Sequence, residues 1–123
     1  VVADADTDAF LGTVSRYWES EETDWLALGI ALYDPAIWGK GHGTEALGAW
    51  TDRVFAEMPR LVRLGLRTWS GNVGIVRVAE KLGYREEARF RRARIVEGRY
   101  YDALGFGVLR EEWTERWPGG FPT

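Results

Sequence analysis

Three glycines alternate with other residues near the middle of the chain, just before a segment with helical spacing. They are Gly39, Gly41 and Gly43, within the sequence WGKGHGTEA. Residues 28–33 before them form an apolar run typical of a strand, and apolar residues recur every three or four positions after them. A helix N-terminus carries unpaired N–H groups and a positive dipole end, and glycine lets an anion approach the backbone closely. The stretch therefore predicts a site for phosphate groups.

Two common phosphate-binding motifs can be compared with this stretch. The P-loop places its lysine after the last glycine, whereas Lys40 precedes Gly41 and Gly43, which excludes that motif. The dinucleotide pattern G-x-G-x-x-[GA] is matched from Gly41 to Ala46. However, that motif needs a glycine directly after the strand and an acidic residue at the end of the next one. Neither is present here, so an NAD-dependent Rossmann oxidoreductase is kept only as an alternative.

A second stretch, from Asn72 to Tyr84, reads NVGIVRVAEKLGY. Together with the glycine stretch it resembles the GNAT N-acetyltransferases, and most closely their ribosomal-protein branch (RimJ/RimL type). Members of that branch typically read WGKGYGTEA and, further on, N-x-x-[SA]-I-x-x-x-E-K-L-G-F. The resemblance runs from about Phe10 to Trp113. Two motifs in the right order and spacing are much more specific than either alone.

The resemblance implies an N-acetyltransferase that moves an acetyl group from acetyl-CoA to an amine by direct transfer in a ternary complex. In the family the glycine loop holds the pyrophosphate, the preceding strand pairs with the pantetheine arm, and the asparagine hydrogen-bonds that arm. The residues implied to bind acetyl-CoA are Ala31, Leu32, Tyr33, Trp38, Gly39, Lys40, Gly41, His42, Gly43, Thr44, Asn72 and Ile75. The alternative is a fragment that binds acetyl-CoA without catalysis.

Some of these residues also have simpler interpretations. Asn72 could be only a helix cap, although the motif that follows it favours a role in binding the pantetheine arm. His42 could help to neutralise the pyrophosphate, but an exposed loop residue is the better explanation. For Lys40, a solvated loop residue and a residue near the phosphate are equally good explanations. Backbone N–H groups near Ala31 and Leu32 are the expected donors to the oxyanion of the transfer step.

No catalytic side chain can be assigned from the sequence. Family members often carry Glu, Ser or Tyr at positions occupied here by Ala27, Ile75 and Ala79. Glu19 and Asp24 remain as candidate bases, and each is better interpreted as a solvated turn carboxylate. At pH 7 roughly 14% of an α-amine is neutral, against roughly 0.04% of a lysine side chain. Without a strong base, a protein or peptide α-amine is therefore the expected acceptor.

The helices are predicted from their ends and their apolar spacing. The first is expected to run from an N-cap at Thr44 to about Met58, before Pro59. The second is expected to begin after Asn72 and to end at Gly83. Its expected buried stripe consists of Ile75, Val78, Ala79 and Leu82.

The strands complete an α/β (α+β) fold, a mixed and mostly antiparallel sheet with flanking helices in the order β-β-β-α-β-α-β-β. Residues 61–69 alternate, and Glu97-Gly98 is a hairpin turn signal. The alternation places Val62, Leu64 and Leu66 on the buried face and Arg63 and Arg67 on the other. Residues 1–123 are expected to form one domain, which lacks the N-terminal strand and two helices that cover the acceptor side in the family.

Composition limits the remaining possibilities. The chain has 123 residues, no cysteine and a net charge of −3. It therefore offers no disulfides and no thiolate ligands, and a metal site is not expected. No apolar run approaches the length of a membrane helix, so a cytoplasmic protein without a membrane partner is expected. A homodimer is compatible with the sequence.

Charge is unevenly distributed along the chain. Acidic residues dominate residues 4–24, and six arginines lie in residues 85–99. The arginines could bind an anionic partner such as nucleic acid. Because they alternate with apolar residues and the protein is acidic overall, two solvated faces are the preferred explanation, and no nucleic-acid partner is expected.

Overall fold

The computed structural model describes residues 2–3, 10–32 and 41–122 of the chain. The elements in this part of the chain are β1 (Val2–Ala3), β2 (Phe10–Ser20), β3 (Trp25–Leu32), α1 (His42–Glu57), β4 (Arg63–Trp69), α2 (Val73–Leu82), β5 (Arg85–Val96), β6 (Arg99–Leu109) and α3 (Arg110–Arg116). The predicted fold class and the order β-β-β-α-β-α-β-β are confirmed. The short helix α3, which the sequence pattern did not predict, follows them.

The strands form one mixed sheet in the order β1-β2-β3-β4-β6-β5. Neighbouring strands are antiparallel except β3 and β4, which run parallel and are joined through α1. β5 and β6 form the predicted hairpin, with Glu97 and Gly98 at its turn and both at positive φ. A single parallel pair is incompatible with the doubly wound parallel sheet that the oxidoreductase alternative requires.

Helices α1 and α2 bring their apolar residues into one hydrophobic core with the sheet. The predicted stripe of α2 is confirmed, since each of its four residues is at most 5% exposed. On β4, Leu64 and Leu66 belong to the same core, as predicted. Val62 was expected beside them, and this was wrong: it lies before β4 begins and is 62% exposed.

The two ends of α1 differ in how their backbone groups are satisfied. The predicted end near Met58 is confirmed, but the N-cap lies three residues before the predicted cap at Thr44. Gly41 occupies the N-cap at φ 84, a conformation that glycine adopts without strain. At the other end, the Arg110 guanidinium of α3 donates to the carbonyl oxygens of Phe55, Met58 and Leu61 at 3.0, 2.8 and 2.7 Å. α3 thus stabilises the C-terminus of α1.

Candidate functional site

A cleft opens between the two parallel strands. They pair at only three positions, Leu26 with Leu64, Ala27 with Gly65, and Leu28 with Leu66. Both strands continue beyond these pairs, β3 to Leu32 and β4 to Trp69. The backbone groups of residues 29–32 that face β4 therefore have no strand partner there. An extended ligand that carries amides could pair with these free backbone groups as an added strand would, so such a ligand fits this gap.

The N-terminus of α1 lies on the connection that leaves β3. Gly41 is its cap and has no side chain to bond the N–H groups of the first turn. Gly43 is buried and Thr44 half-buried within that turn. His42, expected as an exposed loop residue, is instead the first residue of the helix and is half-buried. The first-turn N–H groups can accept an anion here.

The N-terminus of α2 follows the end of β4, and Asn72 caps it as predicted. Asn72 Oδ1 accepts a hydrogen bond from the backbone N–H of Ile75 at 3.3 Å. Among the described residues, the other half of the Asn72 side chain, the Nδ2 amide, has no hydrogen-bond partner. The Ile75 side chain is in the core, 4% exposed. Capping and ligand binding by Asn72 are therefore compatible, because they use different atoms.

The parallel arrangement explains why these groups come together. The carboxyl ends of adjacent parallel strands lie at the same edge of a sheet, and α1 and α2 begin just beyond those ends. The predicted residues Ala31, Gly41, Gly43 and Asn72 thus lie along one edge. Tyr33, Trp38, Gly39 and Lys40 lie outside the described residues.

A cavity of about 660 Å³ lies on the side of the sheet away from the packed leucines of β4. Its lining includes Arg67 and Thr68, from the part of β4 that has separated from β3, so the cavity adjoins the cleft. Two ion pairs also line it, Arg67 with Glu19 and Arg63 with Glu87. The guanidinium of Arg63 also lies 5.5 Å from the ring centroid of Trp25.

The two candidate bases have different environments. Glu19 was expected in a solvated turn, and this was wrong: it lies on β2, its side chain is only 13% exposed, and it accepts a hydrogen bond from Arg67 Nε at 2.8 Å. That bond raises the pKa of Arg67 above its ordinary value. Burial, followed by the charge of Glu19, raises the pKa of the nearby Tyr17. Asp24 does lie in a turn, 3.4 Å from an Arg60 nitrogen.

Sequence reasoning missed the cavity and the ion pairs that line it. The alternation of β4 did place Arg63 and Arg67 on one face, but it predicted no partners for them. Those partners, Glu87 on β5 and Glu19 on β2, lie in strands far away in the sequence. Among the described residues, no three His, Asp or Glu side chains are grouped as metal ligands would be. No helix of the described chain is long and apolar enough to span a membrane.

Comparison with known proteins identifies the family. Residues 1–85 match the model of the acetyltransferase (GNAT) domain, which is more than half of the chain. The chain belongs to the GNAT acetyltransferase family. A relative from Bacillus subtilis, the SPbeta prophage-derived uncharacterized N-acetyltransferase YokL, is 31% identical over 83 residues. That match covers 68% of this chain and 46% of YokL, so the GNAT chain described here spans just under half the length of this relative.

Solved structures show the same fold. A GNAT-family acetyltransferase from Bacillus anthracis aligns with a TM-score of 0.74 and 24% identity, over 89% of this chain and 64% of that one. The spermidine/spermine N-acetyltransferase SpeG from Vibrio cholerae aligns with a TM-score of 0.77 and 22% identity, over 94% and 68%. At these identities the likeness concerns the fold alone.

Proposed function

We propose that this GNAT domain binds acetyl-CoA in the cleft between β3 and β4 and transfers the acetyl group directly to an amine. The observation that carries the proposal is the pairing of these strands at three positions followed by their separation. The gap exposes backbone groups of residues 29–32 to a ligand with an extended, amide-bearing arm, which pantetheine has. A nicotinamide dinucleotide has no such arm.

The two helix N-termini would hold the rest of the cofactor. The first turn of α1, capped by Gly41, offers N–H groups to the pyrophosphate. Asn72 Nδ2 would donate to a pantetheine carbonyl while Oδ1 continues to cap α2. The predicted roles of Tyr33, Trp38, Gly39 and Lys40 remain predictions.

In the transfer step the neutral amine nitrogen bonds to the thioester carbon and gives up one proton as it becomes an amide. The C–S bond breaks, and the CoA sulfur leaves as the thiol after taking up one proton, so the two protons balance. The backbone N–H of Ala31 or Leu32 would donate to the oxyanion. Glu19 is a poor general base because Arg67 already holds its carboxylate. We therefore propose an acceptor whose amine has a low pKa, a protein or peptide α-amine as in the RimJ/RimL branch, over a lysine side chain.

Thermal melting tests the cofactor site. A saturating ligand at about a hundred times its Kd stabilises the folded state by about 2.7 kcal/mol, which raises Tm by on the order of 10 °C for a domain of this size. We expect this shift with acetyl-CoA, most of it with dephospho-CoA, and little with NAD. A shift with NAD and none with acetyl-CoA would contradict the proposal.

Asn72 variants sharpen this experiment. Asn72→Asp keeps an oxygen for the cap but loses the amide donor, so acetyl-CoA affinity should fall by about 1–3 kcal/mol with little change in the unliganded melt. Val73→Ala, at the exposed neighbouring position, is the matched control. If Asn72→Asp and the unchanged protein bind acetyl-CoA with equal affinity, Asn72 serves only to cap α2.

Release of free CoA thiol, measured with peptide α-amines and with lysine side chains, separates an enzyme from a binding fragment. We expect turnover that favours α-amines and rises with pH until the amine is neutral. Binding of acetyl-CoA without release of thiol would favour the non-catalytic alternative.

A homodimer remains a prediction. A Vibrio cholerae spermidine N-acetyltransferase of the same fold, at 22% identity, is described as dodecameric.

A further inference from the structure

The cavity beside the cleft has a floor of residues with small side chains or none. Its lining includes five glycines and alanines on four neighbouring strands, namely Ala27, Gly65, Ala88, Ala103 and Gly105. A Cβ built on Gly105 would meet only the Ala88 methyl, at 3.4 Å. The volume of about 660 Å³ lies within the usual range for sites that bind small molecules or peptide termini.

Charges on the cavity wall are only partly compensated. The carboxylates of Glu19 and Glu87 are each held by an arginine. Arg94 is a third cation in the lining, and its guanidinium lies 5.2 Å from the ring centroid of Trp69. No carboxylate of the described residues forms an ion pair with Arg94. Within the described part of the chain, the charge of Arg94 is thus left for a ligand.

Two aromatic side chains lie beside Arg94. Trp69 packs edge-to-face against Tyr101, with ring centroids 4.8 Å apart, and Tyr101 is the cross-strand partner of Arg94. Stacking on an indole leaves the edge of a guanidinium, with its N–H donors, available to a carboxylate. A planar guanidinium can bind a carboxylate through two parallel hydrogen bonds, which a lysine ammonium cannot do.

The hairpin that carries Arg94 projects toward the cofactor edge of the sheet. β4 ends at Trp69, paired with Ala103, so the part of the hairpin from residue 91 to residue 102 extends past the carboxyl end of β4. The projecting residues 91–102 contain four arginines against two acidic residues. One of those two carboxylates, that of Asp102, is already paired with Arg89. The projecting part is therefore a positively charged wall next to the cleft.

We propose that the cavity receives the acceptor and that Arg94 binds an anionic group on it, so that the acceptor is an amine that also carries a carboxylate. An acidic peptide N-terminus has this chemistry, and a polyamine does not. This inference rests on the proposed acetyl transfer. A polyamine would need free carboxylates, and the two in the lining are already engaged by Arg63 and Arg67.

Direct binding tests the inference without requiring turnover. The probes are an N-terminally acetylated tetrapeptide with two aspartates, its isostere with asparagines, and spermidine, each titrated by calorimetry into the CoA-saturated protein. The aspartate peptide should bind about tenfold or more tightly than the asparagine peptide, as expected for hydrogen bonds to a charged group. Arg94→Gln should remove this difference and leave the affinity for the asparagine peptide unchanged.

Arg85→Gln is the matched control, because it removes one positive charge from the same hairpin at a residue paired with Glu112. It should change the affinity for the aspartate peptide by less than twofold. Equal binding of the two peptides, tighter binding of spermidine, or an Arg94→Gln variant that keeps the preference would each overturn the inference. The melting temperature with and without acetyl-CoA is measured for every variant. If acetyl-CoA does not raise the melting temperature of the unchanged protein, the proposed function is refuted. If it does, but the unchanged protein shows no preference for the aspartate peptide, only the role of Arg94 is refuted.

Discussion

The two faces of the central sheet have opposite characters, although the same strands form both. On β4, Leu64 and Leu66 face the helices and are at most 2% exposed. The alternate residues Arg63, Gly65 and Arg67 face the cavity, where two of them are held in ion pairs. Apolar burial stabilises a fold by about 25 cal/mol per Å², whereas partly exposed ion pairs contribute about 1 kcal/mol or less. One face therefore supplies stability, and the other leaves room for a ligand.

The largest effect is expected on the helix face. Leu64→Ala removes a side chain that is 0% exposed and leaves a cavity in the core, so the free energy of unfolding should fall by about 2–5 kcal/mol. Val62→Ala, two residues away at a position that is 62% exposed, should change it by less than about 0.5 kcal/mol. Urea unfolding measures both. Similar losses for the two variants would mean that burial is not what distinguishes the faces.

An intermediate effect is expected from the buried hydroxyl of Tyr84, which lies 2.6 Å from the Thr51 hydroxyl. Burial raises the pKa of Tyr84 above its ordinary value of 10.0. The folded state therefore keeps this proton at a pH where the unfolded state loses it. The contribution of this proton to the free energy of unfolding is fully present below about pH 10 and is lost as the pH rises further. At pH 11 the free energy of unfolding should be lower by about 1.4 kcal/mol for this reason.

Tyr84→Phe is the control for this prediction. It should lower stability at neutral pH, because the Thr51 hydroxyl loses one of its two hydrogen-bond partners and keeps only the Leu47 carbonyl oxygen. Its stability should fall less steeply than that of the unchanged protein between pH 9 and pH 11. Urea unfolding at both pH values gives the comparison. If the free energy of unfolding falls equally with pH in both proteins, the pKa of Tyr84 does not differ between the folded and unfolded states.

The smallest effect is expected on the cavity face, at the Glu19–Arg67 pair. A double-mutant cycle with Glu19→Gln and Arg67→Gln should give a coupling free energy of less than about 1 kcal/mol, which falls as salt is added. The reason is that the side chain of Arg67 is 59% exposed. A coupling near 3 kcal/mol, insensitive to salt, would show that this face also contributes substantially to stability.

Local signals predicted the elements well where each signal lies within a few residues. Asn72 and Gly83 mark the two ends of α2, and both caps are confirmed by an Asn72 side-chain hydrogen bond and a left-handed glycine. The cap of α1 was misplaced because Thr44 has the right side chain, while Gly41 has the backbone conformation that the turn needs. α3 was missed because it is short and depends on contacts with α1, which no local pattern reveals.

The sequence by itself determined the family, the order of strands and helices as far as β6, and the groups offered by the glycine stretch and Asn72. These depend on spacing, caps and turns, which act over a few residues. Only the tertiary structure decided that β3 and β4 separate after three pairs and that Glu19 lies against Arg67, 48 residues away. It alone placed Arg94 on Trp69 beside a cavity with a floor of glycine and alanine. Such contacts join residues from different strands, and their geometry follows from strand register and packing of the whole sheet, not from any single segment.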